Sequence, residues 1–578
     1  MKASKLIALF LTLVMFLSLG TFEAWAAESE GTSSLPSYLH PNQLPLTDEA
    51  ITLRVAVLCE DVNTAPEKSW MFNFIEQKMG IDVELEYFYN TNRAESLALM
   101  MADGNLPDMI IGCALTSNEI ANYGETQGLF LDMAPYINEE NAPNLTKFYS
   151  EYPQYMNDLV TSTGHVYSLG CISVPGDPTD GYRFYINYDN LEKMGYTDVP
   201  ATLDDFVQML RDVKAYGEAN GLDLVPYGGN YANYNSCSFL LNALGYNRTM
   251  DYSGSSTRET DIFLRNGEVV MPAFDKDVFT TYLETMNTMY KEGLMESEYY
   301  TMDADTCKAH LAEGKYETFS SVPGLYTSVE YGSEWYAAMP LTSEFNDKAF
   351  WFNYTGHTIG EFVISAETQY PELCVAFADY FYGENRNIAF WGPNVNQTEL
   401  LTDGFDGWYY NYENGGRNWK AYEENTDKYE TMNVYRFGSV CLWANSFGLG
   451  WDPDFLCDEN GNSTATAWTA DGDTLWEIAK VRKTYDNFNK QFQSAQVLGY
   501  GPYMTDEYTP TIFYFDEETN DRVLELKTLI DGYAQAEIAK FVVGARDLSE
   551  ADQFYAELEN LGAAEYVQYF ADYYAMTK

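Results

Sequence analysis

Apolar and β-branched residues run almost unbroken from Ile51 to Cys59 and stop at Glu60-Asp61, which predicts a buried strand. Over 67–79 the apolar positions Met71, Phe74, Ile75 and Met79 fall on one helical stripe, ended by Gly80. The same reading gives a strand over Ile81–Tyr89, a helix over Arg93–Ala102 and a strand over Asp108–Gly112. Strand, helix, strand, helix, strand at this spacing implies right-handed crossovers and a parallel, doubly wound sheet. Ligands on such sheets bind beyond the carboxyl ends of the strands. That rule singles out two loops, Glu60-Asp61-Val62-Asn63 and Cys113-Ala114-Leu115-Thr116.

A second α/β unit begins near residue 183. Arg183–Asn187 is strand-like, Thr202 to Asp205 has the form of a capping box with Asp205 in place of the usual Glu, and Leu203, Phe206, Met209, Leu210 and Val213 make an apolar stripe. Leu224–Tyr227 leads into the polar-aromatic loop Gly228–Asn233, a helix is predicted over Cys237–Leu244, and a strand over Lys315–Phe319 precedes Ser320–Gly324. Two such units imply two lobes and a cleft.

The amino terminus has a different pattern. Lys2 and Lys5 precede the apolar run Leu6–Leu19, and Ala24-Trp25-Ala26 has the small-x-small form of a cleavage site, so 1–26 is expected to be a signal peptide and the protein exported. Residues 27–48, rich in Ser, Glu, Pro and Gly, read as a flexible leader. Gly20-Thr21 stands where a lipoprotein precursor has Gly-Cys, and the first cysteine is Cys59, so no lipid-anchor cysteine is expected. The eight cysteines are widely spread with no CxxC, and most are expected to be buried thiols.

Charge and composition narrow the function. Lys and Arg number 33 against 87 Asp and Glu, a net charge of -54, so a nucleic-acid partner is not expected. The four histidines are scattered singly, which argues against histidine-based zinc chemistry and a Ser-His-Asp triad; no cofactor and no metal are expected. The stretch from Asp458 imitates a calcium loop but has Thr469 at its twelfth position instead of a bidentate Glu. The 48 Tyr, 33 Phe and 11 Trp suit stacking on neutral ligands, with sugars the leading class.

Several segments then carry a resemblance. Gly104-Asn105-Leu106-Pro107-Asp108-Met109-Ile110-Ile111, Tyr188-Asp189-Asn190-Leu191-Glu192-Lys193-Met194-Gly195, Pro200-Ala201-Thr202-Leu203-Asp204-Asp205-Phe206 and Tyr290-Lys291-Glu292-Gly293-Leu294 resemble, in order, segments of family 1 extracellular solute-binding proteins of sugar ABC transporters. Phe362-Val363-Ile364-Ser365, Tyr370-Pro371-Glu372 and Lys540-Phe541-Val542-Val543-Gly544 continue it, so that it covers about residues 50–570. The chain is most similar to the larger oligosaccharide-binding members of Gram-positive bacteria, the lipoprotein LplA-like group. The resemblance implies an α/β, two-lobed, periplasmic-binding-protein-like fold with discontinuous lobes and a hinge cleft. Lobe 1 would span 49–180 with a return segment at about 355–390, lobe 2 would comprise 183–352 and 391–578, and the hinge would lie near 180–190 and 352–362. It also implies closure over a carbohydrate and its delivery to the membrane permease of an ABC transporter, and the chain is expected to be a monomer. The Asp-x-Asn-x-Asn calcium loop of many relatives is missing after the helix at 202–217, and so is the anchor cysteine.

Binding a sugar needs planar polar side chains for its hydroxyls and aromatic faces for its C–H surface. The candidates are Asp61, Asn63, Cys113 and Ala114 in lobe 1, Tyr227, Asn230, Tyr231, Asn233 and Ser321 in lobe 2, and Trp351, Trp391, Trp408 and Trp443 as platforms. A single Trp is more often core than platform. The alternative reading is a secreted glycoside hydrolase or polysaccharide-processing enzyme with a carboxylate pair. No carboxylate sits in a recognisable catalytic motif, and Ala444-Asn445-Ser446-Phe447-Gly448 only half resembles a nucleophile elbow. The expectation is therefore a binding protein and not an enzyme.

Overall fold

The structure is a computed structural model and describes residues 35–59, 70–161, 163–172, 183–231, 237, 239–248, 257–321, 335–338, 340–351, 358–383, 409–413, 416–420, 448–449, 503, 505 and 512–577. Eight strands, β1 (Ile51–Cys59), β2 (Ile81–Tyr89), β3 (Met109–Ile111), β4 (Arg183–Asn187), β5 (Val225–Gly228), β6 (Tyr316–Ser321), β7 (Trp335–Ala337) and β8 (Phe362–Ile364), make two four-stranded sheets.

The first sheet has the order β8-β3-β1-β2. All nine residues of β1 pair in parallel with β2, and Val55–Val57 pair in parallel with β3 on the other side. A strand with neighbours on both edges and helices over its faces has no wet side, which is why its sequence is apolar rather than alternating. The motif Gly104–Asp108 holds the amino end of β3 against β1. Gly104, at φ +71, caps the helix Arg93–Asp103; Asp108 Oδ2 accepts the Arg54 N–H at 2.9 Å; and the Arg54 guanidinium donates to Asn105 Oδ1 at 3.1 Å. β8 arrives from far along the chain and pairs antiparallel with β3, Phe362 opposite Ile111.

The helix that follows β8, Pro371–Tyr380, is buried along most of its length and ends in a polar device. Asp379 takes the Leu145 N–H at 2.7 Å and the Asn144 N–H at 3.3 Å, capping the helix Pro143–Glu151, whose own N-cap residue Ala142 has no side chain to do so.

The second sheet has the order β7-β4-β6-β5, with β5 and β6 parallel and β4 antiparallel to both β6 and β7. Its main covering helix, Leu203–Asn220, starts at Thr202, whose hydroxyl oxygen accepts the Asp205 N–H at 3.1 Å. Asp205 returns only to the Thr202 hydroxyl, at 2.8 Å. At Thr116 the one-methylene-longer Glu119 reaches the backbone N–H at 2.8 Å and completes a true capping box. The helices Lys276–Lys291, Glu517–Val543, Ala551–Asn560 and Ala563–Thr577 close this lobe. Asn287 donates to the Phe541 and Val542 carbonyls at 2.6 and 3.2 Å, and Arg211 clamps Glu292. The family-like segments around Leu294 and Gly544 are thus places where helix ends are pinned.

One core gathers residues from Leu39 to Leu169 with Phe362 to Tyr382; another gathers Phe184 to Trp351 with Val523 to Phe570. Residues 35–48, expected to belong to a flexible leader, are docked. Leu39 and Leu46 are core side chains, Leu39 bridges Thr47, and Leu46 donates its N–H to the Met79 carbonyl at 2.9 Å. Burying Leu46 alone is worth about 2 kcal/mol, enough to outweigh the turn-rich composition that suggested mobility. The six described cysteines are all buried thiols. Cys441, Cys457, Trp451, the loop from Asp458 and residues 1–34 lie outside the described residues. Among the described residues no helix is long and apolar enough to cross a membrane.

Candidate functional site

Because the strand order reverses between β2-β1 and β1-β3, the switch point lies at the carboxyl ends of β1 and β3. Gly112 to Leu115 turns there, and the structure builds that turn under constraint. Gly112 adopts φ +84 with its Hα side against Leu58, where a Cβ would stand 2.5 Å from the Leu58 Cβ. Ala114 holds φ 47, a left-handed conformation uncommon for a residue with a Cβ. The amino end of β8 keeps it in place. The Glu361 carbonyl accepts from Gly112 N–H at 2.7 Å and Cys113 N–H at 3.3 Å, and the Gly360 carbonyl from Leu115 N–H at 2.9 Å. The Glu361 carboxylate takes the Ala114 N–H at 3.2 Å. Burial pushes the Glu361 carboxyl up to about 7, against the Ala114 hydrogen bond and the charge of Arg93, which both favour ionisation.

The same rim carries the two chain stretches next to the expected lobe crossings. Leu169 and Phe362 form a bridge, Cys171 N–H donates to Thr358 Oγ1 at 2.9 Å, and the Thr358 N–H to the Cys171 carbonyl at 2.9 Å. The expected hinge positions 180–182 and 352–357 lie outside the described residues. A further segment touches both lobes. Ser117 Oγ, three residues beyond Ala114, donates to the Phe513 carbonyl at 3.0 Å, and Tyr514 OH to the Leu159 carbonyl at 3.5 Å, while the Phe513 and Phe515 rings pack on Phe570 and Tyr573 of the last helix.

The predicted site residues divide into three sets. Cys113 and Ala114 stand on the lobe 1 turn, but the Cys113 thiol is buried, bonded to the Ile110 carbonyl and pushed well up by that burial, so the turn presents backbone and Glu361 rather than sulfur. Tyr227, Asn230, Tyr231 and Ser321 lie at the carboxyl ends of β5 and β6, Ser321 opposite Arg183. Two of these are spent inside the lobe. Tyr227 is fully buried with its hydroxyl on Ser320 Oγ at 3.0 Å, and Asn230 is 2% exposed and donates to the Met302 carbonyl at 2.7 Å. Tyr231 gives its hydroxyl to Glu259 at 3.1 Å, with Arg258 over its ring at 4.9 Å and Tyr300 against it. Trp351, 1% exposed, is one of the largest side chains of the lobe 2 core rather than an open platform. Asp61, Asn63, Asn233, Trp391, Trp408 and Trp443 lie outside the described residues.

Glu361 and Arg93 were missed. Glu361 sits just before the family-like segment Phe362–Ser365, but only the pairing of β8 with β3 brings it, 247 residues from Ala114 in sequence, to the switch point.

Comparison with known proteins extends this geometry. Residues 70–394, more than half of the chain, match the family model described as bacterial extracellular solute-binding protein. The chain belongs to that family. Among curated members, the fructooligosaccharide ABC transporter substrate-binding protein FusA of Streptococcus pneumoniae serotype 4 is 21% identical over 568 residues, 95% of each chain. The solved structure of FusA in complex with kestose superposes with a TM-score of 0.62 at 18% identity, covering 91% of this chain and 99% of that one. A human-milk-oligosaccharide (HMO) binding solute-binding protein from Bifidobacterium longum infantis gives 0.64 at 18% identity, with 92% and 99% covered. The fold is therefore the two-lobed, periplasmic-binding-protein-like α/β fold of extracellular solute-binding proteins, and an exported protein follows from the family.

Proposed function

We propose that this solute-binding protein captures an oligosaccharide between its lobes and hands it to the permease of an ABC transporter, without cleaving it. The observation that carries the reading is the family match combined with near full-length similarity to FusA. The site geometry is consistent with it: a rigid backbone turn and a half-buried carboxylate at the switch point of one lobe, and the carboxyl ends of β5 and β6 in the other. Sugars offer neutral hydroxyls and an apolar face, and a fixed carboxylate at such a rim is suited to accept those hydroxyls. The chain acts as a monomer that closes on its ligand, since a sugar touching both lobes favours the state in which both contacts exist.

A thermal-shift screen against kestose, nystose, a human milk oligosaccharide fraction and their monosaccharides tests this. Ligand at 100 times its dissociation constant adds about 2.7 kcal/mol of stability and a shift of several degrees. Small-angle scattering with the best stabiliser is expected to show compaction, and chromatography after prolonged incubation an unchanged chain length. If no oligosaccharide stabilises the protein, the reading fails; turnover of the sugar would replace it with the hydrolase reading.

A further inference from the structure

Within that reading, we propose that Glu361 is the carboxylate with which lobe 1 holds the sugar, accepting the hydrogens of a vicinal diol, so that capture strengthens as this group ionises.

Three independent features of the structure lead here. The first is position. β8 places Glu361 opposite Gly112, at the carboxyl end of β3 and beside the switch point, and within three residues of Thr358, which is bonded to Cys171 at the foot of the lobe crossings. The second is construction. The turn that receives the carboxylate cannot relax: Ala114 is held at φ 47, a Cβ on Gly360 would lie 2.1 Å from the Leu115 carbonyl oxygen, and one on Gly112 would strike Leu58. Backbone strain of this kind persists where the surroundings over-determine it, and it clusters at ligand clamps. The third is unused capacity. A carboxylate has about four lone-pair sites, and within the described residues Glu361 is given one hydrogen bond, Ala114 N–H to Oε2, while keeping part of its surface open.

Among the described residues, two charged or titratable groups act with Glu361. Arg93, at the start of the helix Arg93–Asp103, favours the ionised form; Cys113, on the turn, is a buried thiol that stays neutral because burial and Glu361 both raise it. Burial is the larger influence on Glu361 and holds its ionisation near 7. An ionised carboxylate accepts two hydroxyls at once, whereas the protonated form gives up part of that capacity to its own proton. If only the ionised form captures sugar, affinity is full above the ionisation point and falls about tenfold per pH unit below it, about 30-fold between pH 8 and pH 5.5.

The test is calorimetric titration from pH 5.5 to 8.5 with whichever of kestose, nystose or the human milk oligosaccharide fraction stabilises the wild type. Glu361→Gln keeps an oxygen for Ala114 N–H but removes the titration. It is expected to bind about tenfold more weakly at pH 8 and with the same affinity at every pH, with its sugar-free melting temperature near that of wild type. Arg93→Met leaves the carboxylate in place and is expected to move the midpoint of the pH profile upward. Wild-type affinity and slope in Glu361→Gln would overturn the proposal even though the protein binds sugar. So would weaker binding that keeps the wild-type slope together with an unmoved midpoint in Arg93→Met, because Glu361 would then only shape the turn. Absence of binding by wild type at any pH is a failure of the proposed function itself and is seen before any variant is made.

Discussion

Gly360→Ala is the substitution from which the packing of the lobe 1 rim can be measured most directly. Two costs apply. Gly360 has φ +71, where an L side chain is disfavoured by about 1 kcal/mol. Its Cβ would also meet the Leu115 carbonyl oxygen at 2.1 Å and the Leu115 nitrogen at 2.7 Å, so the two strands of backbone must part by more than an ångström. Parting them gives up the Leu115 N–H to Gly360 carbonyl bond, worth about 1 kcal/mol, and strains a packed turn at about 1–3 kcal/mol more. The sum is about 3–5 kcal/mol. Gly128→Ala is the built-in control, since Gly128 has φ +65 with nothing within 4 Å of its Cβ position, leaving only the about 1 kcal/mol conformational cost. For a unit of 150–250 residues each kcal/mol lowers the melting temperature by about 2–4 °C, so scanning calorimetry is expected to show a loss of about 2–4 °C for Gly128→Ala and about 6–20 °C for Gly360→Ala. Sugar affinity is expected to fall only in the latter. Equal losses in the two variants would refute the close approach of β8 to the turn, and with it the account of why Ala114 is held in a left-handed conformation.

Other expectations follow from single side chains. Asp379→Ala leaves two N–H groups of the helix Pro143–Glu151 without their acceptor and is expected to cost about 2–4 kcal/mol by urea denaturation, with Asp379→Asn milder because an amide oxygen can still accept. Glu317 is fully buried, keeps one hydrogen bond from Asn190 at 2.9 Å, and burial pushes its carboxyl up to about 8. Because the folded state holds this proton more tightly than the unfolded chain, wild-type stability is full below the ordinary carboxylate range and declines as pH rises towards 8. Glu317→Gln should flatten that decline in melting temperature between pH 5 and 8.5, and an unchanged profile would contradict the assignment. Trp351→Ala is expected to cost about 3–5 kcal/mol of stability, while Trp351→Phe, still able to fill the lobe 2 core, keeps sugar affinity within threefold by calorimetry.

Much of lobe 1 was legible because its elements are local and strongly patterned. Ile51–Cys59 and Ile81–Tyr89 are read to the residue, and the helix at 93 to within one, since an apolar run, a helical stripe and a terminal glycine each announce themselves. The helix over 67–79 is described from Trp70, residues 67–69 lying outside the described residues, and finishes as a π-turn at Ile75–Met79, a distinction that periodicity does not carry. What escaped was set by partners remote in sequence. Residues 35–48 look like a leader until the groove beside Met79 is known, and Tyr227 and Trp351 look like ligand aromatics until the lobe 2 core closes round them. The carboxyl ends of the strands, where a ligand is proposed to bind, could be located from the sequence, whereas the proposed polar group, Glu361, could not. Nothing near Glu361 in sequence distinguishes it from the other acids of a strongly acidic chain.

The interleaving of the lobes also governs how the protein is made. Lobe 1 lacks its fourth strand and the cap from Asp379 until residues 358–382 have arrived, and lobe 2 lacks the carbonyls that Asn287 holds until residue 542 has done so. A chain synthesised from its amino terminus therefore grows long before either body can shut, and the contacts that shut it span more than 230 residues. Early closure of a stable lobe would obstruct passage through an export channel that admits extended chain. Threading the completing strands and helices late in the sequence postpones that event, at the cost of slow, non-local assembly once outside.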